Sequence, residues 1–263
     1  MDKIKTIILK EWAEVFKNKM VLFSVIFMPL IFAVIPLVML GIFNQTGGAE
    51  DLTSDMPAEF MGICPEGLSS GECFQVQMVS QFTLLFMMLP LIIPINIAAY
   101  SIVGEKTTHS LEPLLATPIT TAELLIGKTL AAAIPAILAT LGGFLIYAIG
   151  AFILVENPLI IRSLLDPMWL LTVFLIGPLL AVLSVNFAIL VSSRVNDPRV
   201  AEQISAVVIV PLLAIFIGQM SGLFRINSNF ILLAALVLLV IDIAVVQMGV
   251  RLFQRETILT RWK

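Results

Sequence analysis

Charge is scarce in this sequence. Of its 263 residues, 13% are charged and 59% are hydrophobic, whereas a soluble domain carries roughly 25% charged residues. That deficit excludes an ordinary water-soluble enzyme. The wealth of apolar residues excludes a disordered chain, which would be poor in them. A net charge of −3 leaves no basic footprint for nucleic acid. Histidine is represented by His109 alone, and there are two cysteines, Cys64 and Cys73. Such a set is too sparse for a His/Cys zinc site. No catalytic centre, metal or cofactor is therefore expected on the chain itself.

What the sequence has instead is long apolar runs. A bilayer core of roughly 30 Å takes about 20 apolar residues as helix. Six stretches reach that length: 20–43, 79–103, 129–155, 168–191, 204–223 and 230–250. Together they hold one formal charge, Asp242. Backbone polar groups in lipid must be satisfied within the segment, so these runs are read as helices. The expected fold is an all-α integral membrane protein, a single domain of six spans over residues 1–263. Seven prolines inside the spans (Pro29, Pro36, Pro90, Pro94, Pro135, Pro178 and Pro211) are expected as tolerated kinks.

The connecting segments give an orientation. Segments 1–19, 104–128, 192–203 and 251–263 carry thirteen basic residues, and the alternate segments 44–78, 156–167 and 224–229 carry two. The positive-inside rule then places both termini in the cytoplasm of a cell whose plasma membrane the chain spans, with the acidic segment 44–78 outside. Within that external segment, Cys64 and Cys73 are separated by eight residues containing Gly67, Gly71 and two serines, so a local disulfide is expected in an oxidising exterior. Within 1–19, Ile4, Ile7, Ile8, Trp12, Val15 and Phe16 follow helical spacing with Lys3, Lys10 and Lys17 largely opposite. This predicts an amphipathic helix lying in the membrane interface, or else packed on the ends of the spans.

Two motif matches are set aside. Residues 122–129 satisfy a relaxed phosphate-loop pattern, but four helix-favouring residues occupy the loop and no strand precedes it. Gly67-Leu68-Ser69-Ser70-Gly71 resembles a nucleophile elbow, yet the sole histidine, His109, is expected across the membrane.

The segment 104–128 is the most informative. Ser110 can cap a short helix that accepts Pro113 in its first turn. Thr117-Pro118 should end it, and Thr120 with Glu123 forms a capping box for the next helix. Leu111, Leu114 and Leu115 project at i, i+3 and i+4. Burying one leucine is worth roughly 1.5–3 kcal/mol. These side chains therefore either pack on the ends of the spans or enter a groove on a partner. In the second such loop, Asp197 is expected to cap a helix with Pro198 in its first position.

These residues carry a resemblance. Lys10-Glu11-Trp12, Gly104-Glu105-Lys106, Leu111-Glu112-Pro113-Leu114-Leu115-Ala116-Thr117-Pro118, Glu123 through Lys128 and Phe253 through Leu259 look like the permeases of type-2 ABC transporters, especially the sodium- and drug-exporting branch. The resemblance covers essentially the whole chain. It implies a permease that pairs with a separate ABC ATPase subunit, on which ATP and magnesium would bind. It also implies a coupling helix at Leu111–Ala116 with Gly104, Glu105 and Glu112 as flanking contacts, and pairing as a homodimer or with a related permease half. Two departures from the family pattern stand out. The external loop 44–78 is short for the sodium-export type, and 224–229 leaves little room for short external helices before the sixth span.

Asp242 lies about 12 Å below the inner boundary of the sixth span. A carboxylate there is costly unless it faces the protein interior or takes a proton. It is expected either to hydrogen-bond to Asn96 or Asn186, or to sit with them in the transport pathway. An ion-coupled carrier using Asp242 and a non-transporting membrane scaffold are the alternatives to an ATP-driven exporter.

Overall fold

The computed structural model describes residues 2–45, 69–108, 119–155, 157–223 and 226–252. Its elements are helical throughout, with no strand among the described residues. Six helical passes are long and apolar enough to cross a membrane: Lys19–Phe43, Gly71–Thr107, Thr121–Leu154, Pro158–Ser192, Pro198–Met220 and Ser228–Arg251. The protein is a multi-pass integral membrane protein, as the apolar runs require.

Helix α1 (Asp2–Val15) precedes α2 (Lys19–Gln45), the first pass. The second pass is α3 (Ser70–Phe86) followed by α4 (Leu89–Thr107), and the third is α5 (Thr121–Leu154). The fourth is assembled from α6 (Pro158–Leu164), α7 (Pro167–Leu171), a π-helical segment Thr172–Ile176 and α8 (Gly177–Ser192). The fifth joins α9 (Pro198–Ser205) to α10 (Val210–Met220) through a 3₁₀ turn, Ala206–Ile209. The sixth is α11 (Ser228–Leu252).

The prolines divide into two groups. Pro29, Pro36, Pro94 and Pro135 lie inside continuous helices, as expected. Pro90, Pro178 and Pro211 instead fall in the first turns of α4, α8 and α10, where a pass is interrupted and restarts. Proline lacks the N–H that a helix interior needs, and its ring crowds the carbonyl four residues back; neither matters in a first turn. The interruptions resolve that conflict by a break at Met87–Met88, a π segment and a 3₁₀ turn respectively.

The second pass is the axis of the bundle. Within its most apolar window 72% of residues are buried, against 11% and 17% for the fifth and sixth passes. Phe86, fully buried on α3, stacks on Tyr147 at 5.5 Å and meets Phe32 and Phe144 edge-on, so one ring joins α2, α3 and α5. The first and third passes approach closely at Gly143, where a Cβ would stand 2.9 Å from Pro29 Cβ and 3.2 Å from its carbonyl oxygen. Neighbouring Gly142 faces open space.

Helix α5 is roughly 50 Å long at 1.5 Å per residue, well beyond a bilayer core of about 30 Å. Its first two turns overrun the expected span, and α1 packs on them and on the end of α4. The row Ile7, Glu11 and Val15, spaced i, i+4, i+8, is the buried edge of α1. Of the two placements open to this helix, the structure thus shows it lying against the ends of the passes. Helix α9 packs on α4 nearby, through Ala99, Val103 and Ala201. The described parts of three of the four basic segments (1–19, 104–128 and 192–203) are thereby gathered at one end of the bundle, called here the basic end. At the opposite end Asn157 Nδ2 donates to Glu72 Oε1 (2.6 Å), tying α6 to α3. The connection before the fourth pass, read in sequence as a plain external segment, is therefore largely helical.

Candidate functional site

The helix starts flanking the two basic-end loops form as their sequences dictate. Thr120 N donates to Glu123 Oε2 (2.8 Å) and Glu123 N to Thr120 Oγ1 (3.2 Å), a complete capping box opening α5. Asp197 Oδ1 accepts from Arg199 N (2.8 Å) at the start of α9, with Pro198 in the first turn. The phosphate-loop match at 122–129 is ordinary α-helix. Gly127 has a different use: a Cβ there would lie 2.8 Å from Ile7 Cγ2, so its absence lets α1 seat against α5.

Between α1, α4 and α5 sits a buried knot of charge. Lys128 Nζ is 2.7 Å from Glu11 Oε1 and 2.8 Å from Glu105 Oε2, all three side chains being at most 5% exposed. Lys10 Nζ lies 2.5 Å from Glu105 Oε1. Ser101 Oγ donates to Glu11 Oε2 and accepts from Lys128 Nζ at 2.8 Å. Two lysines thus neutralise two glutamates. Removing such charges from water costs several kcal/mol per ion, which only close pairing with further hydrogen bonds offsets. Lys10 is half-buried. Burial works to lower its pKa, but the hydrogen bond to Glu105 and the charges of Glu105, Glu11 and Glu14 outweigh that and hold it above the ordinary lysine value. Beside the knot, Trp12 Nε1 donates to Ala131 O (2.9 Å), fixing α1 to α5 a second time.

The knot joins both ends of the loop that separates α4 from α5. Glu105 stands in the last turn of α4, and Lys128 two turns into α5. Lys106 Nζ also donates to the carbonyls of Ser193 and Val195, both at 3.3 Å, linking the same root to the second basic-end loop. Gly104 meets nothing at its would-be Cβ, and its carbonyl accepts from Thr108 N at 3.1 Å. His109, Leu111, Glu112, Pro113, Leu114, Leu115 and Ala116 lie outside the described residues. So does Cys64, whose expected partner Cys73 is buried near the start of α3.

The amphipathic reading of 1–19 missed Glu11, the centre of the knot. The signal was available: a carboxylate in the middle of the row Ile7–Glu11–Val15. Pattern alone says that this position is buried but not what neutralises it, because its partner Lys128 is 117 residues away.

The expected hydrogen bond from Asp242 to an asparagine is absent. Asp242 is buried on α11, and both carboxylate oxygens lack a partner among the described residues. Asn186 is committed elsewhere, its Nδ2 donating to Val182 O (2.8 Å) in its own helix and its Oδ1 accepting from Thr129 (3.3 Å). Asn96 lines a crevice of about 330 Å³ at the basic end, with Asn18, Tyr100, Asp197, Arg199 and Glu202. The three polar residues thus do not converge on one site.

A larger groove, of about 540 Å³, opens between the α3–α4 pass, the fourth pass, α10 and α11. Leu84, Leu180, Leu212, Ile215, Leu238 and Val245 are among its walls. The π-helical segment contributes Thr172 and Ile176. Such segments arise where a helix departs from regular hydrogen bonding, frequently at functional sites.

The sequence model of a family described as "ABC-2 family transporter protein" matches residues 5–253. No curated protein matches the chain.

Proposed function

Since the chain belongs to the ABC-2 transporter family, and is thus a transmembrane component of an ABC transporter, we propose that it forms the membrane pathway of an ATP-driven exporter. A separate ATPase subunit supplies the energy, with ATP and magnesium held on that subunit. In this reading the basic end faces the cytoplasm of a plasma-membrane protein, the segment Leu111–Ala116 docks into the ATPase, and two copies of the chain enclose the pathway.

The observation that supports this reading is the buried knot. A loop that receives a push must be rooted in something stiff, or the motion dissipates in side-chain rearrangement. Glu105 and Lys128 bracket the loop and bind each other directly at 2.8 Å. Both are also held by α1, through Lys10 and Glu11. Lys106 links the root to the second loop. Displacement of the docked segment therefore reaches α1, α4, α5 and α9 together.

The test is co-purification with the ATPase subunit. Leu114→Asp or Leu115→Asp places a charge on the docking face, and each substitution should release the ATPase while the chain remains folded in the membrane. Retention of the ATPase by both variants removes the docking role. A second reading, ion-coupled carriage, draws support from Asp242, buried and without a partner among the described residues. It requires Asp242→Asn to abolish transport and ATP depletion at a fixed ion gradient to leave it intact; the exporter reading requires ATP depletion to stop it.

A further inference from the structure

The groove between α10 and α11 is long, apolar and nearly free of hydrogen-bonding groups. Along α11 its lining runs from Phe230 to Val245, roughly 22 Å at helical rise, about three-quarters of the thickness of a bilayer core. Its volume of about 540 Å³ lies within the range of ligand sites, roughly 300–1,000 Å³. Trp169 and Thr172 bring the only polar side-chain atoms among the described lining residues, and Thr172 Oγ1 already donates to Met168 O at 2.9 Å.

One end differs. Gln219 on α10 follows Leu212 and Ile215 on the same helical face, and Gln81 on α3 lies one turn before Leu84; all three of these apolar residues line the groove. Helices α3 and α10 touch. Both amides are buried without partners among the described residues: Gln81 at Nε2 and Oε1, Gln219 at Oε1. A buried amide with no partner is left with its desolvation uncompensated. Neither glutamine is itself among the groove's lining residues, but each lies one turn beyond a residue that is, so two unmet amides stand next to one end of the apolar channel.

We infer that this groove binds a long-chain amphiphile entering from the bilayer, its alkyl chain along α11 and an uncharged hydrogen-bonding head at Gln81 and Gln219. A bare hydrocarbon would leave the amides unmet, and an anionic head would find no cation among the groove's described lining residues. The inference deepens the transport reading by naming a class of cargo, but binding needs neither ATP nor the partner subunit.

The test uses the full chain in phosphatidylcholine nanodiscs with two photoreactive probes, a diazirine-bearing long-chain monoacylglycerol and a diazirine-bearing alkane. Adducts of the first should concentrate on Leu212, Ile215 and Leu238. Leu212→Trp, which fills the channel, should lower that labelling at least tenfold. The double variant Gln81→Leu/Gln219→Leu retains the channel and should lower monoacylglycerol labelling about tenfold, since each tenfold corresponds to roughly 1.4 kcal/mol, while leaving alkane labelling unchanged. Equal labelling of exposed Leu233, Leu236 and Ile243 would mean bulk lipid only and overturn the inference. So would groove labelling that disappears in the dimeric fraction, which would show a second copy occupying the channel. Unchanged monoacylglycerol labelling of the glutamine variant also overturns it. Release of the ATPase by Leu114→Asp with labelling intact separates the failure of either reading from the other.

Discussion

The basic end of the bundle and the side facing α10 and α11 handle buried polarity in opposite ways. At the basic end, Glu11, Glu105 and Lys128 are nearly inaccessible, yet each is paired at 2.7–2.8 Å and the cluster carries no net charge. On α3, α10 and α11, which help to wall the groove, Gln81, Gln219 and Asp242 hold buried polar atoms with no partner among the described residues. The first arrangement fixes α1, α4 and α5 against one another, because any relative shift would separate desolvated charges. The second stores unfavourable polarity that a ligand or a movement of the helices can relieve. A transport subunit requires both properties, in different places.

This contrast is most vulnerable at Lys128. Lys128→Met should leave two buried carboxylates facing each other and cost about 3–5 kcal/mol, read as a large fall in melting temperature in detergent. Restoring neutrality with Glu11→Leu/Lys128→Met, which leaves the Lys10–Glu105 pair intact, should recover most of that loss, because a well-packed apolar replacement is often neutral. If the double variant melts no higher than the single one, shape rather than pairing holds the basic end together.

A second comparison concerns glycines. Gly127→Ala drives a Cβ to 2.8–3.0 Å from Ile7 and should cost about 1–3 kcal/mol as overpacking. Gly177, in the fourth pass beside the groove, has nothing within 4 Å of its would-be Cβ. Gly177→Ala should leave the melting temperature unchanged or raise it slightly. Equal losses at both positions would contradict the difference in packing.

The sign reverses at the groove. Gln81→Leu and Gln219→Leu each remove an unmet amide and should be neutral or stabilising, by about 0–1 kcal/mol. Unfolding measured without added amphiphile reads this directly, and clear destabilisation by either would mean that the amides are satisfied in the folded protein.

The smallest effect is a dependence on alkaline pH. In the folded state the hydrogen bond to Glu105 and the charges of Glu105, Glu11 and Glu14 outweigh burial and hold the Lys10 pKa above its ordinary value. Its contribution to stability is therefore complete below about pH 10.4, the ordinary lysine value, and is lost as pH rises through the raised value. Lys10→Met should flatten the decline in melting temperature between pH 10 and 12 that the unaltered chain shows. Because Lys10 is half-exposed, solvent screening keeps the difference small.

Much of this architecture is written in apolar length and in caps. Six runs with one internal charge suffice to give six passes, and Thr120–Glu123 and Asp197–Pro198 suffice to start α5 and α9, because capping is decided within four residues. The three interrupted passes were not legible. Proline has the same chemistry at Pro135, inside a helix, and at Pro178, after a π segment; neighbouring helices decide which outcome follows. The knot was half legible. Lys10, Glu11, Glu105 and Lys128 all belong to segments that carry the family resemblance, yet their convergence depends on contacts 95 to 117 residues apart. The groove left no mark in sequence, since leucine facing lipid and leucine facing a channel look alike.

The proposed engagement of the ATPase falls on the loop between α4 and α5. A photoreactive amino acid in place of Leu114, activated in intact membranes, tests this against the same substitution at Leu159, on α6 at the opposite end of the bundle. The predicted result is an adduct with an ATP-binding-cassette subunit, identified by mass spectrometry, from position 114 and none from position 159. An adduct with that subunit from position 159, with none from 114, would contradict both the docking role and the orientation of the bundle.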